Sequence, residues 1–143
     1  MIGITDEHEI IAVLTRYATG IDRRDWPLLR TCFAENFIGD YGSFGSWTGP
    51  DEITKFMQEV HASVGSTLHR MSNFVVEGKD DHATVRSYVD ALLMPGTLDS
   101  EVHQAAGWYE DEFTRTERGW KISRYYSRSC FGLISLAIPA QPH

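Results

Sequence analysis

Proton transfer near neutral pH needs a group that can both take and give a proton, and the chain carries six histidines that could do it. His69, in Ser66-Thr67-Leu68-His69-Arg70-Met71, opens a β-like run. Strand alternation puts His69, Met71, Asn73 and Val75 on one face and Leu68, Arg70, Ser72 and Phe74 on the other. An imidazole there is structural, solvated or a general base. Asp22 precedes Arg23-Arg24-Asp25-Trp26. It is either a surface carboxylate paired with a neighbouring arginine or, turned inward, the partner that fixes the tautomer of a base. Tyr17 lies on an apolar stripe, so its phenol points inward, to a backbone carbonyl or to a ligand. Asp90 shares parity with Arg86 and Tyr88, which reads as a solvated face. Arg124 and Arg128 flank Tyr125-Tyr126-Ser127, where a guanidinium can hold a carboxylate or carbonyl.

The other histidines offer less. His8 falls in a first helical turn, His61 on a helix near Val60, His82 in a turn and His143 at the chain end, while His103 begins a strand and stays a reserve pocket residue. None stands beside a second His, Cys, Asp or Glu at a ligand spacing such as HExxH, so no metal site is expected. There is no GxSxG, Walker A or GxGxxG motif, and the glycine-rich run 39–46 precedes no helix at phosphate-cradling spacing. Neither nucleophilic serine chemistry nor a nucleotide cofactor is expected.

Three helices must carry the first half of these groups. Thr5 is the expected N-cap of the first, whose apolar positions Ile10, Val13, Leu14, Tyr17 and Ile21 recur at helical spacing, with Gly20 marking its end or a bend. The second is expected over Asp25–Phe33, capped by Asp25 with Pro27 in its first turn. The third opens at Gly49-Pro50-Asp51-Glu52, with Ile53, Phe56, Met57 and Val60 as its stripe. Residues 36–47 suit a short strand or ribbon. Thr67–Glu77, Ala83–Met94, Val102–Thr116 and Gly119–Phe131 favour strands, separated by turn residues at 78–81, 95–99 and 117–119. Helices followed by hairpin-linked strands predict an α+β fold, an antiparallel sheet with helices on one face. Twelve glycines allow the sheet to curl through bulges and leave a small-molecule pocket. No repeat, low-complexity tract or linker divides residues 1–143, so one domain is expected.

Composition narrows the function. With 143 residues, 13 Lys+Arg and 20 Asp+Glu, the formal charge is −7, the wrong sign for a nucleic-acid partner. The longest apolar stretch, Gly132–Ile138, is far short of the ~20 residues that span a bilayer, and the N-terminus has no signal-peptide pattern. Cys32 and Cys130 form no framework or CxxC pair, and Cys32 is expected to be a buried, inert thiol. A reduced, cytoplasmic protein is expected.

Six segments in order carry a family resemblance. They are Tyr17–Trp26, Asp40-Tyr41-Gly42-Ser43-Phe44, Gly49-Pro50-Asp51-Glu52-Ile53, Thr67-Leu68-His69, Gly107–Phe113 and Gly119-Trp120-Lys121-Ile122-Ser123-Arg124. Together the chain resembles the SnoaL-like branch of the nuclear transport factor 2-like superfamily. Within that branch it resembles scytalone dehydratase, bile acid 7α-dehydratase and lindane dehydrochlorinase. The resemblance implies a cone-shaped, strongly curved sheet with three N-terminal helices over a pocket. It implies a His–Asp base made of His69 and Asp22, with Tyr17 and Tyr41 as phenols that polarise a carbonyl. Asp90, Arg128, Phe44 and Trp108 are implied substrate contacts. Ile21 stands where scytalone dehydratase has a second tyrosine, and Leu93 or Met94 where it has a second histidine, so the scytalone substrate is not implied. The implied activity is a cofactor-independent dehydratase-like lyase acting on a small, apolar cyclic substrate, steroid-like or polyketide-like. An isomerase or cyclase with the same base, and a non-catalytic binding or scaffold subunit, are the alternatives. The resembling lyases are trimers and other superfamily members dimers, so a homo-oligomer is expected.

Overall fold

The computed structural model describes residues 1–40, 45–96 and 101–136, with side chains to Tyr125. Helix α1 (Ile4–Asp22) buries Ile10, Val13, Leu14, Tyr17 and Ile21, the stripe that the spacing predicts. It starts earlier than Thr5. Gly3 is the N-cap, in extended backbone and without a side-chain cap bond, so Thr5 lies inside the first turn. Gly20 does not end the helix, which runs on to Asp22. A Cβ there would meet the Leu29 backbone nitrogen at 3.0 Å, so its bare Cα lets the next helix pack close. Helix α2 (Trp26–Arg30) is shorter than expected. The Asp25 carboxylate accepts from the Leu28 N–H at 3.0 Å, the cap the sequence implies. Helix α3 (Gly49–Val60) carries Pro50 in its first turn. The Glu52 carboxylate, one turn into the helix, reaches back to accept from the Thr48 N–H at 2.7 Å and satisfies the backbone donor of the N-cap residue. Ile53 and Met57 are buried and Phe56 stacks on Trp47 at 3.9 Å between centroids, but Val60 faces solvent in the last turn.

Six strands follow or intervene: β1 (Phe33–Asp40), β2 (Ser46–Thr48), β3 (Thr67–Lys79), β4 (His82–Leu93), β5 (Val102–Thr116) and β6 (Gly119–Leu136). They form one curved, unclosed sheet in the order β2-β1-β6-β5-β4-β3. All neighbours are antiparallel except β1 and β6, which run parallel. The parallel pair arises because β1 forms next to the β2 edge, and the closing strand β6 inserts between β1 and β5.

Helix α1 packs on β3 and β6 while α3 packs on β1 and β2, so one face of the sheet is covered. On that inner face Ala83, Val85, Val89, Phe113, Trp120, Ile122 and Tyr125 meet Val13, Leu14, Tyr17 and Ile21 of the helix. Each aliphatic side chain buried this way contributes about 1.5–3 kcal/mol. Asp6 ties the helix start to the sheet. It accepts from the Trp120 indole at 3.1 Å and from Arg115 at 2.8 Å, and these donors hold its carboxyl below the usual range. Cys32 is fully buried, and burial pushes its thiol up to about 12, which fits an inert core thiol.

The predicted face assignment of β3 holds only to Ser72. Asn73 adopts a left-handed backbone (φ 52°), and the pairing with β4 slips between Ser72 and Val75. Beyond this bulge the parity inverts. Phe74 and Val76 pack against the core and Val75 is 53% exposed.

Candidate active site

Asp22 is the last residue of α1, a poor place for an acid because the carbonyl end of a helix carries partial negative charge. Three donors hold it there. The Thr67 hydroxyl donates to Oδ1 at 2.9 Å, the His69 backbone N–H to Oδ2 at 2.8 Å, and His69 Nδ1 lies 2.7 Å from Oδ1. All three partners come from the start of β3, which α1 crosses at its C-terminus. Since the carboxylate is an acceptor, this bond places a proton on Nδ1, and in the neutral ring that leaves the lone pair on Nε2. The two side chains are only 10% and 17% exposed, so the contact is shielded from competing water.

Behind this pair lies Arg24, just past the helix, in a left-handed conformation (φ 55°) that costs a non-glycine residue about 1–2 kcal/mol. Its guanidinium donates to Ile21 O at 2.7 Å, to Thr67 Oγ1 at 2.9 Å and to Gly65 O at 2.6 Å. The arginine thereby joins the helix end to the segment leading into β3. Beside His69 stands His61, the C-cap of α3, with ring centroids 6.5 Å apart. Its Nδ1 donates to the Met57 carbonyl at 2.7 Å, and its ring also packs near Trp26. Burial lowers the His61 pKa below the ordinary imidazole value, outweighing that bond, and Arg24 and His69 act in the same direction.

Strand register shows what else faces the dyad. Across from His69 on β4 is Ala91, and across from Ala91 on β5 is Ala105; the next row holds Met71, Val89 and Gly107. The sheet directly across from the imidazole therefore carries the small residues Ala91, Ala105 and Gly107, bordered by Met71 and Val89. The row on the other side holds Thr67, Leu93 and His103, so the reserve histidine shares the dyad's face two strands away.

Of the residues singled out in the sequence, His69 and Asp22 come together. Tyr17 is 2% exposed on the same face, ringed edge-on by Phe33, Tyr125 and Tyr109 at 6.2, 6.4 and 6.5 Å between centroids. Asp90 and Trp108 do not join them. Alternation sends both to the opposite face, where Asp90 accepts from Arg70 at 2.8 Å and Gln104 at 2.9 Å, and Trp108 lies across from half-exposed Tyr88. Tyr41 and Phe44 lie outside the described residues, as does the side chain of Arg128 on β6. The sequence reading assigned no role to Thr67, Arg24 or His61. The available signal was Thr67's parity with His69, two residues on.

Hollows lined by Val75, Glu77, Thr84, Arg86 and Glu110 (about 470 Å³), by His82, Glu112 and Ser123, and by Phe33, Glu35 and Lys121 lie away from the dyad. Among the described residues no three His, Cys, Asp or Glu side chains gather as a metal would require, and no helix is long and apolar enough to cross a membrane.

The chain is 29% identical over 129 residues to the uncharacterized protein Rv2910c of Mycobacterium tuberculosis, covering 90% of this chain and 88% of that one. Among solved structures it is similar to a Novosphingobium aromaticivorans protein assigned as an aromatic ring hydroxylase (TM-score 0.84, 28% identity, 95% and 96% of the two chains). It shares its fold with the hexachlorocyclohexane dehydrochlorinase LinA-type3 from Novosphingobium barchaimii (TM-score 0.84, 19% identity, 98% and 97% of the two chains). Residues 3–126, spanning the helices, the dyad and the sheet to the middle of β6, match the SnoaL-like domain, and the chain belongs to that family.

Proposed function

We propose that the protein is a cofactor-independent lyase in which His69 and Asp22 remove a proton alpha to a carbonyl of a small cyclic substrate. The observation that carries this reading is the 2.7 Å contact between His69 Nδ1 and Asp22 Oδ1 beside an inner-face floor of Ala91, Ala105 and Gly107. Membership in a family with dehydratase and dehydrochlorinase neighbours supports a lyase- or isomerase-type small-molecule enzyme. A scaffold subunit has no use for a largely buried imidazole bonded to a carboxylate that three donors hold in place.

The chemistry follows from the protonation pattern. Neutral His69 takes the alpha proton on Nε2 while Asp22 stabilises the imidazolium that forms. A phenol hydroxyl, Tyr17 or Tyr41, holds the enolate oxygen. The imidazolium then returns its proton to the beta-hydroxyl as the C–O bond breaks, releasing water and a conjugated enone. The floor of small side chains accommodates a flat ring. Exposed Leu68, Val75 and Tyr88 on the opposite face support assembly into a homo-oligomer.

The test is a panel of beta-hydroxy cyclic ketones in D2O, followed by enone absorbance and deuterium incorporation. The wild-type protein forms enone with at least one member, and His69→Gln loses that activity by roughly 10²–10⁴-fold with its fold intact. Full activity in His69→Gln, or neither enone nor exchange across the panel, refutes the reading.

A further inference from the structure

Resting on the reading of His69 as the base, we propose that Thr67 and Arg24 are positioning residues that lock the Asp22 carboxylate, and through it the His69 ring, in the proton-accepting state. A hydrogen inventory carries the inference. An arginine has five N–H donors and no acceptor, so the 2.9 Å contact between Arg24 and Thr67 Oγ1 must use an oxygen lone pair. The single hydroxyl hydrogen of Thr67 is then committed to Asp22 Oδ1, 2.9 Å away. Arg24 thus fixes the direction of the whole chain: guanidinium to hydroxyl, hydroxyl to carboxylate, ring nitrogen to carboxylate.

Burial sharpens the effect. Thr67 is 3% exposed, so no water replaces either of its bonds. The carboxylate meets donors at both oxygens, which leaves it one orientation, and that orientation presents Oδ1 to His69 Nδ1. The left-handed backbone of Arg24 is the strain expected where geometry serves function, and its bonds to Ile21 O and Gly65 O hold it there.

The experiment needs no substrate. In ¹⁵N-labelled, ligand-free protein, NMR reads the tautomer of His69, with His69→Gln identifying its signals. The expected wild-type state is the Nδ1–H tautomer. Thr67→Val, which keeps shape but loses the hydroxyl, lowers the ratio of Nδ1–H to Nε2–H by about five- to thirtyfold. Thr67→Ser restores it. Arg24→Met leaves the hydroxyl in place but unbiased and shifts the ratio in the same direction, an independent check should Thr67→Val fold poorly. An unchanged tautomer in folded Thr67→Val or in Arg24→Met overturns the proposal. A wild-type His69 already in the Nε2–H form overturns the dyad reading itself, and with it this one.

Discussion

Asp22 grips His69 at two nitrogens at once, one oxygen 2.7 Å from the ring Nδ1 and the other 2.8 Å from the backbone N–H. The backbone bond fixes the carboxylate relative to the strand, and the ring bond then fixes the imidazole relative to the carboxylate. Neither alone would set the direction of Nε2. An amide in place of the carboxylate offers only one accepting oxygen and turns an N–H donor toward the second site. Asp22→Asn therefore lowers turnover by roughly 10²–10⁴-fold and costs about 1–3 kcal/mol of stability. Steady-state rates and urea unfolding of the same preparation measure the two effects.

The floor of Ala91, Ala105 and Gly107 makes substrate size the next variable. Ala105→Phe places a ring on the inner face without touching Asp22 or His69. Binding of a ketone that the wild-type protein dehydrates weakens by on the order of tenfold or more. The NMR signature of the His69 ring stays as in the wild type. A competition assay against the parent ketone reads the loss, and unchanged affinity would place the substrate elsewhere.

His61 predicts how stability depends on pH. Burial lowers its pKa in the folded protein below the ordinary value of 6.5, so the unfolded chain binds a proton first as the solution is acidified. Its contribution is complete above about pH 6.5 and is lost as the pH falls through the lowered folded value. Urea unfolding free energies between pH 8 and 5 fall toward the acid side, and His61→Gln flattens that slope. The same slope in the variant would show that another group controls it.

The Asn73 bulge offers a test of the fold. Its φ of 52° suits asparagine or glycine and penalises a β-branched side chain by about 1–2 kcal/mol. Asn73→Gly unfolds at nearly the wild-type denaturant midpoint, whereas Asn73→Val unfolds earlier. Equal midpoints would mean that the bulge relaxes at no cost and does not set the face of Phe74 and Val76.

Local chemistry was legible in the order of residues. The stripe from Ile10 to Ile21, the Asp25 cap, the start of α3 at Gly49-Pro50 and the alternation that sends Asp90 outward each depend on neighbours within a few positions, where helical and strand periods act directly. The SnoaL-like resemblance extended that reading to the curved sheet and to the pairing of His69 with Asp22. Three features escaped it. The inverted parity beyond Asn73 follows from one backbone angle, which leaves no mark on composition. The parallel pairing of β1 with β6 joins segments separated by most of the chain. The Arg24–Thr67 contact spans 43 residues and exists only because α1 ends against the first residues of β3. By itself the sequence determined which elements form, which faces are apolar and which residue types can move a proton. Tertiary structure alone decided that Arg24 and Thr67 would hold that pair, because hydrogen bonds act over about 3 Å while these partners stand 43 and 45 positions apart.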